Sequence, residues 1–170
     1  MPSPIGHALG AVAAGWTCSG APPGADARRP WREAAVFATV GLLPDLDLLV
    51  GAHSQYTHSL GAVATVYFAA WLATRCRSPR MALAVALAYA SHPLLDWLGQ
   101  DGTPPLGVML LWPLDSGFHH AGVDVFTGIS RRYWLPGFLT HNLLAVAREV
   151  VILGPIALGA WLLRRRREGT

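Results

Sequence analysis

The sequence has no lysine: all 13 basic residues are arginines, and with 10 acidic residues the formal charge is +3. Charged residues make up 14% of its 170 residues, below the roughly 25% of an ordinary soluble domain. With so little charge beside 52% hydrophobic residues, disorder and charge-rich coiled coils are excluded. Cysteine is scarce too. Cys18 and Cys76, far apart, form neither a disulfide framework nor a cysteine metal knuckle. Gly-x-Ser-x-Gly and Gly-rich nucleotide loops do not occur, so serine-hydrolase and nucleotide chemistry have no anchor. A basic n-region is missing, the first positive charge being Arg28, which argues against a cleaved signal peptide.

The arginines bracket apolar stretches instead of covering one face. They fall at 28–32, 75–80, 131–132 and 164–167, which is no nucleic-acid footprint and is how a polytopic membrane protein distributes charge. The bracketed stretches Ile5–Cys18, Ala34–Val50, Leu60–Thr74 and Met81–Leu98 are helical in pattern and 14 to 18 residues long. A fifth runs from His141 to Leu163. The first four fall short of the roughly 20 residues that cross a hydrocarbon core, so they are short spans or a half-immersed bundle. Dense small residues, as in Ala82–Ala90, allow close helix approach. The fold class expected is all-α, a short polytopic or half-immersed membrane bundle forming one domain. Residues 1–115 carry the motifs, 116–140 form a loop, 141–163 the last helix and 164–170 a basic tail. A water-soluble helical protein is the alternative, since mean hydropathy is only +0.36. Residues 20–30 read as a Pro/Gly/Ala loop.

Placing the arginine clusters 28–32, 75–80 and 164–167 in the cytoplasm puts the 51–58 hairpin tip and residues 99–140 outside; Arg131 and Arg132 are exceptions. The ionisable groups then gather at that outer face: His7, Asp45, Asp47, His53, His58, His92 and Asp96, with His119, His120 and His141 on the same side. Such groups are costly within apolar helices unless paired, and a shared cation pairs them. His92 and Asp96, four apart, share one helical face. Asp45 and Asp47, two apart, would diverge on a continuous helix, but Pro44 disfavours α geometry at Leu43, and an extended Asp-Leu-Asp would present both carboxylates together. His7-Ala-Leu-Gly-Ala-Val-Ala, His58-Ser-Leu-Gly-Ala-Val-Ala and His141-Asn-Leu-Leu-Ala-Val-Ala each start an apolar helix with histidine. His119 and His120 read as loop residues, the tryptophans as interfacial or packing groups, and Arg148 with Glu149 as a local pair or snorkelling residues in preference to a phosphate site.

These motifs resemble the YdjM-like membrane-bound proteins described as metal-dependent hydrolases. The likeness rests on Gly6-His7, Leu42-Leu-Pro-Asp-Leu-Asp47, Thr57-His-Ser59, His92-Pro-Leu-Leu-Asp96 and Gly107–Leu114, in order over residues 5–115. It implies an inner-membrane helical protein with a metal site at His7, Asp45, Asp47, His58, His92 and Asp96. The chain departs from that pattern twice: Leu48 stands where the family often has His, and His53-Ser54 where it often has His-Arg. A more distant likeness, to helical zinc-dependent phospholipases C and nucleases, suggests phosphodiester chemistry by analogy.

A thiolate-free His and carboxylate set suits zinc best, with manganese or iron compatible, and its size fits one or two ions. The reading is a metal-dependent hydrolase with Asp45 or Asp96 accepting the proton of a metal-activated water, on a phosphoester such as a phospholipid. The alternative is a non-catalytic metal-binding membrane protein with a structural or regulatory role. The expected partners are the bilayer and a small-molecule or lipid substrate, not nucleic acid.

Overall fold

The computed structural model describes all residues except 21–25, 27, 52, 103, 169 and 170. The 20–30 loop therefore lies largely outside the described residues. Five α-helices form: α1 (Pro4–Cys18), α2 (Arg29–Leu42), α3 (Leu60–Ala73), α4 (Pro79–Trp97) and α5 (Phe138–Glu168), with no strand among the described residues. Serine caps start three of them: the hydroxyls of Ser3, Ser59 and Ser78 accept the amides of Gly6, Ala62 and Met81. Prolines at the first turns of α1, α2 and α4 supply a preset φ where no amide is needed.

α1 is the central helix, packed on α2, α4 and α5, while α3 packs on α4. Ala11, Trp16, Phe37, Ala84, Ala88 and Ala160 fill the core. Small side chains set the spacing: a Cβ on Gly41 would lie 2.3 Å from that of Ala11 and 3.5 Å from the Ala88 carbonyl, so α1, α2 and α4 meet where only glycine fits.

The second apolar segment is not one α-helix. α2 ends at Leu42, and Leu43–Val50 continues as a 3-10 helix closed by Gly51 at φ 72°. The break falls where Pro44 required it, but the extended Asp-Leu-Asp expectation is overturned. With roughly three residues per turn, Asp45 and Asp47 point about 120° apart, toward different neighbours.

Among the described residues, α5 is the one helix long and apolar enough to cross a membrane: Phe138–Arg167, mean hydropathy 1.9, 22% buried. α3 is apolar but only 14 residues and buries none of them. The arginine run read as a tail forms the last turns of α5, and Arg164 is buried there against Glu33 at 3.0 Å. Glu33 also accepts the Arg29 Nε–H at 2.8 Å. Arg80 and Arg167 donate to the carbonyls of Cys18 and Thr17, capping the C-terminus of α1.

Candidate metal centre

The opposite end of α1 carries His7 in its first turn, about 16 Å along the helix from the arginine-capped carbonyls. Four other segments converge there. α4 brings His92 and Asp96 one above the other, and the 3-10 segment brings Asp45 and Asp47. The loop that follows brings His53 and a short 3-10 turn brings His58. All seven sequence-selected residues thus lie in one cluster. The His7 and His92 rings stack with centroids 3.7 Å apart, and His58 meets His92 edge-on at 4.9 Å.

Asp96 is the centre. Its Oδ1 lies 3.4 Å from His7 Nε2, and its Oδ2 lies 3.4 Å from His58 Nε2 and 3.2 Å from His92 Nε2. None of these close approaches has hydrogen-bond geometry: both carboxylate oxygens and the Nε2 atoms of His58 and His92 are buried without such a partner among the described residues. The opposite ring edges explain the orientation. His92 Nδ1–H donates to the Gly41 carbonyl at 2.6 Å. His58 Nδ1–H donates to the Thr57 hydroxyl at 3.0 Å, and that hydroxyl donates onward to Asp47 Oδ2 at 2.7 Å. With the Nδ1 protons committed, a neutral ring at either position turns an Nε2 lone pair onto a carboxylate oxygen. That juxtaposition is repulsive unless a cation sits between.

Two groups have mutual ligand-atom distances within 4.8 Å: His7, His92 and Asp96, all buried, and Asp45, His53 and His58. Asp45 links them, its Oδ1 lying 3.6 Å from His92 Nε2 and 3.9 Å from His53 Nδ1. Asp47 belongs to neither. Its oxygens accept the Ser54 amide, the Thr57 hydroxyl and His53 Nδ1–H at 3.1, 2.7 and 2.8 Å, so it holds the imidazoles in place.

The remaining histidines lie outside the cluster. His119 pairs with Asp115 at 2.8 Å in an exposed loop, and His120 and His141 bond the carbonyls of Gly99 and Gly128. Arg148 and Glu149 form no pair with each other: Arg148 donates to Thr127 and to the Asp124 carbonyl, while Glu149 turns inward. Sequence reading missed that inward role. Fully buried Glu149 accepts the Ser3 amide at 2.7 Å and the Ser3 hydroxyl, one turn ahead of His7. Gly6 makes the approach feasible, since a Cβ there would lie 2.7 Å from Glu149 Oε2. The one signal was a carboxylate within the long apolar stretch that forms the span-length helix.

An all-helical scaffold with one span-length helix, closing a His and Asp cluster at one end, defines a membrane-associated helical protein with a candidate metal centre. The chain belongs to the YdjM inner membrane protein family, whose family model matches residues 1–168. No curated protein and no solved structure matches the chain.

Proposed function

We propose that the chain is a membrane-bound metal-dependent hydrolase that cleaves a phosphoester at the His and Asp cluster, with zinc the best match to its donors. The carrying observation is the pair of Nε2 atoms, of His58 and His92, that face Asp96 in a buried site without a hydrogen bond among the described residues. His7, His92 and Asp96 would hold one ion, and Asp45, His53 and His58 a second, for which His53 would give up its Nδ1–H bond to Asp47. A bound divalent ion supplies Lewis acidity and lowers the pKa of a coordinated water to about 7. The chain's own residues divide the remaining work by access. Asp96, at 1% side-chain exposure, is sealed from solvent and anchors the imidazoles, whereas Asp45, at 30%, can receive a proton from water on its carboxylate. Asp47, through the Thr57 hydroxyl, keeps His58 aimed inward.

The complete burial of His7, His92 and Asp96 favours a second reading, in which that group holds a closed structural ion. Metal analysis of detergent-purified protein, with hydrolysis of phospholipid and generic phosphodiesters by wild type, Asp45→Ala and His92→Ala, separates the two. Metal bound by the wild type and lost in His92→Ala, with turnover lost in both variants, supports the hydrolase. Stoichiometric metal without turnover selects the structural role. Full metal binding by both variants refutes the site.

The chain is further proposed to cross the inner membrane several times, with the cluster at the non-cytoplasmic face. Supporting this, Arg29, Arg80, Arg164 and Arg167 gather at the end opposite the cluster. Exposed Cys76 lies in the 75–80 arginine loop and is a native probe of sidedness. An impermeant thiol reagent should label it only after sealed spheroplasts are permeabilised; labelling from outside inverts the orientation.

A further inference from the structure

We infer that the cluster takes its substrate from the bilayer, with a leucine row on the 3-10 segment lying among acyl chains and the phosphate headgroup of a lipid reaching Asp45. This rests on the hydrolase reading above. A 3-10 helix repeats about every three residues, so Leu43, Leu46 and Leu49 stack in one row. That row is bare, with exposures of 40, 56 and 83%. The row of Pro44 and Asp47 is buried, and the third row carries Asp45 beside exposed Leu48. The element bearing the most solvent-open carboxylate of the cluster therefore shows leucine, not polar residues, on its outer side.

The apolar surface continues past the site. α3 begins two residues after His58, buries no side chain and presents Leu60, Phe68 and Leu72 outward. The Leu111–Leu114 loop is fastened to its start, Leu60 and Gly61 donating to the carbonyls of Leu110 and Trp112 at 2.9 Å each. An apolar cleft lies between them, lined by Leu60, Phe68, Trp112 and Leu114. Exposed apolar surface on both elements that flank the site, in an inner membrane protein, calls for lipid as its occupant. Length fixes the depth. α3 ends at the Arg75–Arg80 loop, and its 14 residues span about 21 Å of a hydrocarbon core about 30 Å thick. With those arginines at one interface, the His58 end is recessed about 9 Å short of the other. A substrate dissolved in water must leave its bulk solvent to reach such a mouth, whereas a lipid ester is already there.

The test uses full-length, zinc-loaded protein in vesicles of phosphatidylethanolamine and phosphatidylglycerol. Cys18 and Cys76 are replaced by serine, and a nitroxide is attached at Leu43→Cys, Leu46→Cys or Leu49→Cys in turn. Relaxation by oxygen should exceed relaxation by a water-soluble nickel chelate at all three positions. The reverse at all three would overturn the inference, and this readout does not depend on turnover. In parallel, a Leu46→Ser/Leu49→Ser protein that retains its metal should show the ratio of phospholipid to soluble phosphodiester turnover falling about tenfold. An unchanged ratio overturns lipid presentation even if the labels are buried. If the metal-loaded wild type hydrolyses neither ester, the hydrolase reading fails, and the bilayer contact is decided by the label depths alone.

Discussion

The two ends of the bundle both bury charge, and they satisfy it in opposite ways. At the arginine end every buried acid finds a donor within the chain: Glu33 lies 3.0 Å from Arg164 and 2.8 Å from Arg29. At the histidine end the carboxylate of Asp96 faces three imidazole Nε2 atoms at 3.2–3.4 Å without a hydrogen bond. The first end supplies its own cations from the chain; the second has donors that could take one up from outside. Buried ionisable residues in apolar sequence thus carry two messages, and only the partner type separates them. Arginine against glutamate closes a structure, while histidine against aspartate leaves coordination to be filled.

Breaking the arginine end should move stability and nothing else. Arg164→Ala strips one of two cations from nearly buried Glu33 and should cost about 3 kcal/mol in a denaturant titration, with metal content unchanged. Replacing both members, Arg164→Met with Glu33→Leu, should recover most of that loss, because the desolvation of both charges disappears with the pair. A loss of metal in Arg164→Ala would mean that the two ends are coupled and the contrast is false.

Breaking the histidine end should move metal first and stability through it. Asp96→Ala should weaken metal binding by more than about 100-fold, beyond the 10–100-fold that the loss of a ligand's supporting partner costs. Chelation of the wild type should lower Tm by about 5–10 °C, the equivalent of about 2.7 kcal/mol of binding linkage at metal near 100 times Kd. Asp96→Ala should be insensitive to the chelator. If chelation leaves the wild-type melt unshifted while metal analysis finds no ion, the cluster is held by protons and the comparison fails.

Much of this was legible in the sequence because it depends on local rules. Four-residue spacing placed His92 with Asp96, Pro44 ended α2, and arginine brackets marked the helices. The pairing of Asp45 with Asp47 was misread because proline specifies only that the α-helix must stop. The 3-10 continuation depends on tertiary contacts that draw Asp45 toward His92 and Asp47 toward the 53–58 loop. Sequence spacing also gave Asp47 the same standing as the other acids. Its distinct role appears only once Ser54, Thr57 and His53 occupy its oxygens. The α5 contribution was hidden for another reason. Glu149 and Ser3 are 146 residues apart, and no periodicity links them.

That long-range contact gives the smallest and most discriminating prediction. Glu149 touches no imidazole. It acts on His7 by fixing the first turn of α1: the Ser3 hydroxyl accepts the Gly6 amide at 3.2 Å, and the His7 amide donates to the Ser3 carbonyl at 3.0 Å. Glu149→Ala should therefore destabilise the fold by about 1–3 kcal/mol through two orphaned donors on Ser3. It should also weaken metal binding about tenfold by loosening His7. Glu149→Gln keeps one carbonyl oxygen for Ser3 and should restore most of the metal affinity. A merely structural carboxylate would lower Tm in the alanine variant and leave the metal dissociation constant where it was. The ratio of those two effects tests whether the span-length helix takes part in building the candidate metal centre or only supports the bundle around it.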